Sequence, residues 1–303
     1  MKSYFPKTLK GYALDELTKT PLSDFANLCN KVAREGMVLL KNDNGTLPIK
    51  KGACVSVFGR IQEQYYGMGT GSGGGVHPVY KTDILSSFRK RDDVTLNEKL
   101  AKIYADWSAE HPFEDGGWTK PFSQKEMPID EATVKEARQL SDTALIIIGR
   151  TAGEDRDSKA EAGAYYLSEL EEDLIQKVCK QFEKVCVFLN IGSVMDMSWV
   201  KKYDPSAVVC GWQCGQEGGA AAVSVLMGDS NPCGKLTDTF AARASCIANI
   251  GTPYGKILFV SFVQLVKCLA FPLSREDLSD ALVRNYGKAV ALRYGNSSII
   301  CTL

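Results

Sequence analysis

The run "TALIIIG" at residues 143–149 is continuously apolar and rich in β-branched side chains. Seven such residues are too few for a helix that must find its own core, and they lack the polar alternation of a half-exposed strand. They read as a strand covered on both faces. Three further runs share the pattern: "ACVSVFG" (53–59), "KVCVFLNIG" (184–192) and "SAVVCGW" (206–212). Between and after them lie stretches with helical spacing: "DEATVKEARQLSD" (130–142), "SELEEDLIQKVCKQF" (168–182) and "EGGAAAVSVLMGD" (217–229). Ser168 is placed to cap the second of these, with Glu171 completing a capping box. Upstream, "DFANLCNKVARE" (24–35) has helical periodicity, and "MVLLKN" (37–42) reads as a short extended run. Strand–helix alternation implies an α/β fold with a mainly parallel sheet sandwiched by helices. Ligands bind such sheets at the carboxyl ends of the strands. The loops after Gly59, Gly149, Asn190 and Trp212 are therefore where chemistry is expected.

The chain has 303 residues, 45% of them apolar and 24% charged, which fits a globular α/β protein. Lysine and arginine balance aspartate and glutamate for a net charge of zero. This argues against nucleic acid and anionic membrane as partners. The N-terminal stretch lacks an apolar core of signal-peptide length. The ten cysteines have no CxxC spacing, and several sit inside apolar runs. They read as small buried hydrophobes in a reducing, cytoplasmic setting. Two histidines in the whole chain make a zinc site or a Ser-His-Asp triad a poor expectation.

Two loops carry the candidate chemistry. The first is "YYGMGTGSGGGVHPVY" (65–80), which contains a literal G-x-G-x-x-G at Gly69–Gly74. A dinucleotide fingerprint needs its glycines directly between strand and helix. Here the strand ends near Gly59, about ten residues too early, and Pro78 follows the glycines. A nucleotide site, a plain surface loop, and a loop approaching a sugar or partner domain closely all stay open. The second loop follows the strand at 143–149 and reads "GRTAGEDRD" (149–157), with Glu161 further on. By composition it is a solvated acidic loop. A carboxyl near the strand terminus, Glu154 above all, is alternatively a proton donor.

These segments together resemble the α/β-sandwich domain of glycoside hydrolase family 3, the β-glucosidase and β-xylosidase group. The matching phrases are "AREGMVLLKNDNGTLPI" (33–49), "VSVFGR" (55–60), the glycine loop, "GRTAGEDRD" (149–157), "VCVFLNIGSVMDMSWV" (185–200) and "VVCGWQCGQEGGAAAVSVLMGDSNPCGKLTDTF" (208–240). The last is the most specific. The resemblance implies a retaining O-glycosyl hydrolase, which uses two carboxyl groups roughly 5–5.5 Å apart. It implies Glu154 as the general acid/base and Asp157 as a substrate-binding or loop-positioning residue. Arg150, Gly71 and Ser72 are further substrate-binding candidates, and no metal or cofactor is expected. It further implies a nucleophile in a separate (β/α)8 barrel, for which no eight-fold strand–helix run remains here.

The expected arrangement is the permuted, sandwich-first order, with the barrel downstream in cis or supplied in trans. The expected substrate is a β-linked oligosaccharide or aryl glucoside, and the isolated chain is expected to be a fragment of low activity. The alternatives are a non-catalytic carbohydrate-binding or interaction domain and, behind it, a nucleotide-binding protein. In domain terms, residues 1–43 read as a lead-in and helix, 44–240 as the sandwich, and 241–303 as an atypical tail. That tail reads as frameshifted or poorly ordered, the alternative being a genuine divergent end. The aromatic insertion at 107–129 reads as a lid over the site or as an ordered surface loop.

Overall fold

The computed structural model describes residues 23–71, 78, 80–114, 120–154, 158–236 and 240, and the backbone of 289–294 and 297–302. The chain divides into two units, Met1–Ile257 and Leu258–Leu303.

The first unit is built on a sheet ordered β1-β6-β5-β4-β2-β3. Its strands are β1 (Val38–Asn42), β2 (Cys54–Phe58), β3 (Thr95–Leu96), β4 (Thr143–Arg150), β5 (Lys184–Ile191) and β6 (Ala207–Cys210). The pairs β2–β3, β2–β4, β4–β5 and β5–β6 are parallel. Only β1, at one edge, runs antiparallel, against β6, with a register break between Leu39 and Lys41. The α/β sandwich expected from the sequence is the observed architecture. The β4 run is apolar throughout because each of its faces meets a different helical layer. Leu145 and Ile147 pack with Ala33, Ile84, Phe88, Ala221 and Ala222. Ala144, Ile146 and Ile148 pack with Leu100, Val134, Leu174, Ile175 and Val178. Side chains alternate across a strand, so both halves of the run are buried, on opposite sides.

The first layer is formed by α1 (Ser23–Gly36), α2 (Ile84–Arg89) and α7 (Gly218–Leu226). The second is formed by α3 (Glu98–Glu110), α4 (Glu131–Leu140), α5 (Glu169–Gln181) and α6 (Ser198–Tyr203). Caps start four of these helices: Asp83 for α2, Asn97 for α3, Asp130 for α4 and Ser168 for α5. At α5 both halves of the Ser168–Glu171 capping box are present.

One boundary moves. The lead-in assigned to residues 1–43 includes β1, whose main chain joins the sheet through pairs such as Val38↔Cys210 and Asn42↔Ala207. Ala33 of α1 also lies in the core. Residues 23–43 thus belong to the sandwich, since an edge strand is held by ladder bonds that do not depend on sequence proximity. In the second unit, β7 (Ala289–Tyr294) and β8 (Ser297–Thr302) form an antiparallel pair in the register Ala289↔Thr302 to Tyr294↔Ser297. Residues 241–288, most of the expected tail, lie outside the described residues. No helix among the described residues is long and apolar enough to cross a membrane.

Candidate active site

The carboxyl ends of β2, β4, β5 and β6 lie side by side, and their loops are cross-tied beneath the edge. Asn190, on β5, is fully buried. Its Oδ1 accepts the Tyr66 amide at 2.7 Å, and its Nδ2 donates to the carbonyls of Tyr66 at 3.0 Å and Trp212 at 2.7 Å. One amide side chain therefore fixes the loops after β2 and β6 to β5. The carbonyl of Arg150 accepts from the Gly192 amide at 3.0 Å and from Gln213 Nε2 at 3.3 Å, which adds the β4 loop.

The glycine loop stands on the turn after β6. At one foot the Gly215 amide donates to Gly67 O at 2.7 Å, and at the other the Thr82 amide donates to Gln216 O at 2.8 Å. Tyr80 adds a hydroxyl bond to the Glu217 carboxylate. Among the described residues, the glycines of this loop do not sit at a strand–helix junction. β2 ends at Phe58, and α2 begins only at Ile84. The dinucleotide geometry that the motif first suggested is therefore missing there.

Glu154 follows β4, all eight of whose residues are buried, and is itself exposed. Its segment is paired with the glycine loop by a parallel bridge, Thr70↔Gly153. The Thr70 amide donates to Ala152 O at 2.7 Å and the Glu154 amide to Thr70 O at 3.3 Å. A Cβ added at Gly71 would lie 2.6 Å from Glu154 Cβ and 3.2 Å from its Oε2. Of the expected site residues, Glu154 and Gly71 are thus brought together. Ser72 and Asp157 lie outside the described residues, as does Asp155. Glu161 is exposed, in the turn that leads back to α5.

Arg150 is the exception. Expected to meet substrate, it is only 2% exposed, and its guanidinium is fully engaged inside the domain. Nε donates to Ala164 O at 2.9 Å; Nη1 to Gly149 O at 2.7 Å and Glu171 Oε1 at 2.6 Å; Nη2 to Tyr166 O at 3.1 Å and Glu171 Oε2 at 2.7 Å. A guanidinium has five N–H donors, and all five are used. Arg150 closes the base of the loop that carries Glu154 instead of reaching out of it. Glu171 serves both this ion pair and the capping box, since its Oε2 also accepts the Ser168 amide at 2.8 Å.

The described residues of the insertion at 107–129 reach the same edge. The Thr151 amide donates to Phe122 O at 2.8 Å, three residues before Glu154. Arg60, at the end of the β2 phrase "VSVFGR", donates to Lys125 O at 3.2 Å and His111 O at 2.6 Å. Its guanidinium lies 5.2 Å from the Trp107 ring centre, on which His111 stacks. Glu126 turns inward, accepting the amides of Arg60 at 2.9 Å and Met127 at 2.8 Å. Burial pushes its carboxyl up to about 7, against the two amides that favour the charged form.

Sequence reasoning did not single out Asn190, Glu171 or Glu126 as site-supporting residues. The usable signal was polarity in the wrong place: one amide ending the apolar run "VCVFLN", and one carboxylate that both caps α5 and faces a strand-end arginine.

The chain has counterparts among known proteins. Residues 37–273 match the family model described as the glycosyl hydrolase family 3 C-terminal domain. The match runs past Phe240, where the family pattern was expected to stop. The chain is 44% identical over 227 residues to a beta-glucosidase of Ruminococcus albus, covering 74% of this chain and 24% of that protein. It superposes on the crystal structure of a beta-glucosidase from Paenibacillus barengoltzii with TM-score 0.74 and 44% identity, over 77% of this chain and 26% of that one. A beta-glucosidase 3B of Thermotoga neapolitana, solved in complex with glucose, gives TM-score 0.66 and 33% identity over 74% and 32%. The chain spans about a quarter of the length of the curated relatives it matches. By the match to its C-terminal-domain model and by these likenesses, the chain belongs to glycosyl hydrolase family 3.

Proposed function

We propose that the chain is the acid/base half of a retaining β-glucosidase. Glu154 protonates the leaving oxygen and then activates water, and a (β/α)8 barrel in cis or in trans supplies the attacking carboxylate. One observation carries the reading: Glu154 is an exposed carboxyl held at the carboxyl edge of the sheet, one short step beyond a strand buried along its whole length. A carboxyl placed there can meet a substrate bound by another domain, while the loop beneath it is fixed by Arg150 and Asn190. Family membership supports it, as do the relatives named beta-glucosidases. The substrate class is a β-linked oligosaccharide or an aryl β-glucoside. A retaining mechanism needs both carboxyl groups across one glycosidic bond, so the chain alone should turn over slowly or not at all.

The test is to supply a family 3 barrel, fused to or mixed with the full chain, and to follow aryl β-glucoside hydrolysis. Glu154→Gln should lower the rate on poor leaving groups by about 10²–10⁴-fold, the usual general-acid contribution. Good leaving groups need little protonation and should suffer less, and azide should restore turnover by replacing the activated water. Unchanged rates in Glu154→Gln, with loss in Asp155→Asn or Glu161→Gln, would move the acid elsewhere in the loop. Stabilisation by glucose without turnover in any combination would favour a sugar-binding domain instead.

A further inference from the structure

Three glycines converge on one short stretch of main chain. After Phe58↔Ile146 β2 leaves β4, and the β2 chain enters a short 3-10 turn at Arg60–Gln62. The two chains meet again, still parallel, at Thr70 and Gly153. The meeting uses two amide bonds, Thr70 N–H to Ala152 O and Glu154 N–H to Thr70 O. Each glycine sits where a side chain would wedge these bonds apart. A Cβ on Gly69 would collide with Ala152 O, itself the acceptor of the first bond. A Cβ on Gly153 would collide with Thr70 O, the acceptor of the second, and with the Thr70 hydroxyl. A Cβ on Gly71 would meet Glu154 itself, at Cβ, amide and Oε2, and Gly71 has φ +109°, which side-chain-bearing residues rarely adopt.

We infer that the glycine loop is a positioning clamp for Glu154, with Gly69, Gly71 and Gly153 as its positioning residues. The inference rests on the reading of Glu154 as the acid/base. The loop's two feet stand on the Gly215–Glu217 turn, so the clamp references the height of the Glu154 carboxyl to the β6 end of the sheet. The glycines serve the carboxyl by keeping space empty for it. A carboxyl misplaced by about an ångström loses much of its value as a proton donor.

Two measurements test the clamp on the full chain. The first is amide hydrogen exchange, which needs no activity. Gly69→Ala and Gly71→Ala should each speed exchange at the Thr70 and Glu154 amides by tenfold or more, leaving β4 and β5 unchanged. Gly36→Ala, where a Cβ meets nothing within 4 Å, should change neither amide. Gly69→Ala carries no positive φ, so it decides the matter if the strained Gly71→Ala fails to fold. Unchanged exchange at both amides in Gly69→Ala overturns the clamp.

The second measurement is leaving-group dependence with the barrel supplied. Both variants should lose tenfold or more on poor leaving groups and less on good ones, imitating Glu154→Gln. Equal losses on both substrate types would overturn the coupling to proton donation. If Glu154→Gln itself shows no leaving-group dependence, the acid assignment is what has failed, and the exchange data alone then judge the clamp.

Discussion

Glu126 offers a stability measurement whose sign and size follow from its surroundings. The carboxyl is 4% exposed and faces the Arg60 and Met127 amides, with the Arg60 guanidinium, Glu171 and Tyr104 as the charged and titratable groups that act on it. Its ordinary value of 4.5 is pushed up to about 7. The folded state therefore holds a proton that the unfolded chain gives up. Stability from this group is fully present below 4.5 and is lost as the pH rises through 7. With 1.36 kcal/mol per pKa unit, the full loss is about 3 kcal/mol, most of which develops between about pH 5 and 8.

Glu126→Gln removes the titration. Its amide has one acceptor oxygen for two N–H donors, so the variant loses a hydrogen bond at every pH, at a cost of about 1–3 kcal/mol. The absolute stabilities can therefore cross. The decisive quantity is the change with pH in the difference between wild type and variant. Carboxyls held below their ordinary values, such as Asp93, Glu98, Asp130 and Glu172, tilt both curves alike and cancel. Urea unfolding at the two pH values gives that difference. Wild type should lose about 2–3 kcal/mol relative to Glu126→Gln on going from about pH 5 to 8. A difference constant to within about 0.5 kcal/mol would refute the reasoning.

Arg150→Met leaves the Glu171 carboxylate buried without its partner and should destabilise by about 3–5 kcal/mol; Arg150→Met with Glu171→Leu should recover part of this, and a single-variant cost under about 1 kcal/mol in urea unfolding would show that the Arg150–Glu171 ion pair does not hold this loop. Asn190→Ala strips partners from the Tyr66 amide and two carbonyls and should lower the unfolding free energy by about 2–4 kcal/mol, with Asn190→Asp no better because it sets a carboxylate against those carbonyls. Ser168→Ala removes half of the α5 capping box and should cost about 1 kcal/mol by the same measurement. Glu154→Gln, a near-isosteric change at an exposed position, should change stability by no more than about 0.5 kcal/mol, which separates its effect on turnover from any effect on folding.

Legibility in the sequence followed the range of the forces involved. The β4 and β5 runs could be read because burial on both faces makes every position apolar, and a local run of letters records that. The α5 start could be read because Ser168 and Glu171 are three residues apart. Helix α2 was not set out: it has six residues, too few to display a period. The direction of β1 was hidden because its partner, β6, lies some 170 residues away, and main-chain pairing leaves little mark on side-chain identity. Arg150 was placed on the right loop with the wrong task, since its tie to Glu171 spans 21 residues and appears only when the loop closes. The glycine loop left three readings open in the sequence, and none of them named the neighbour that Gly69 and Gly71 meet, the Ala152–Glu154 segment of the same domain.

A loop whose two feet rest on one turn has a property that its sequence does not advertise. The chain leaves at Gly67 and returns at Thr82, both bonded to residues 215–216, so the span between them is closed before its length matters. Extra residues inserted between Gly71 and Tyr80 would raise the closure entropy only logarithmically, with each doubling costing about 0.6 kcal/mol. They would leave the start and end of the loop where they are. Relatives with longer or shorter arms here can therefore differ in what reaches a neighbouring domain while keeping the same footing for the carboxylate, and loop grafting between family members should succeed when the cuts fall inside Gly71 and Tyr80.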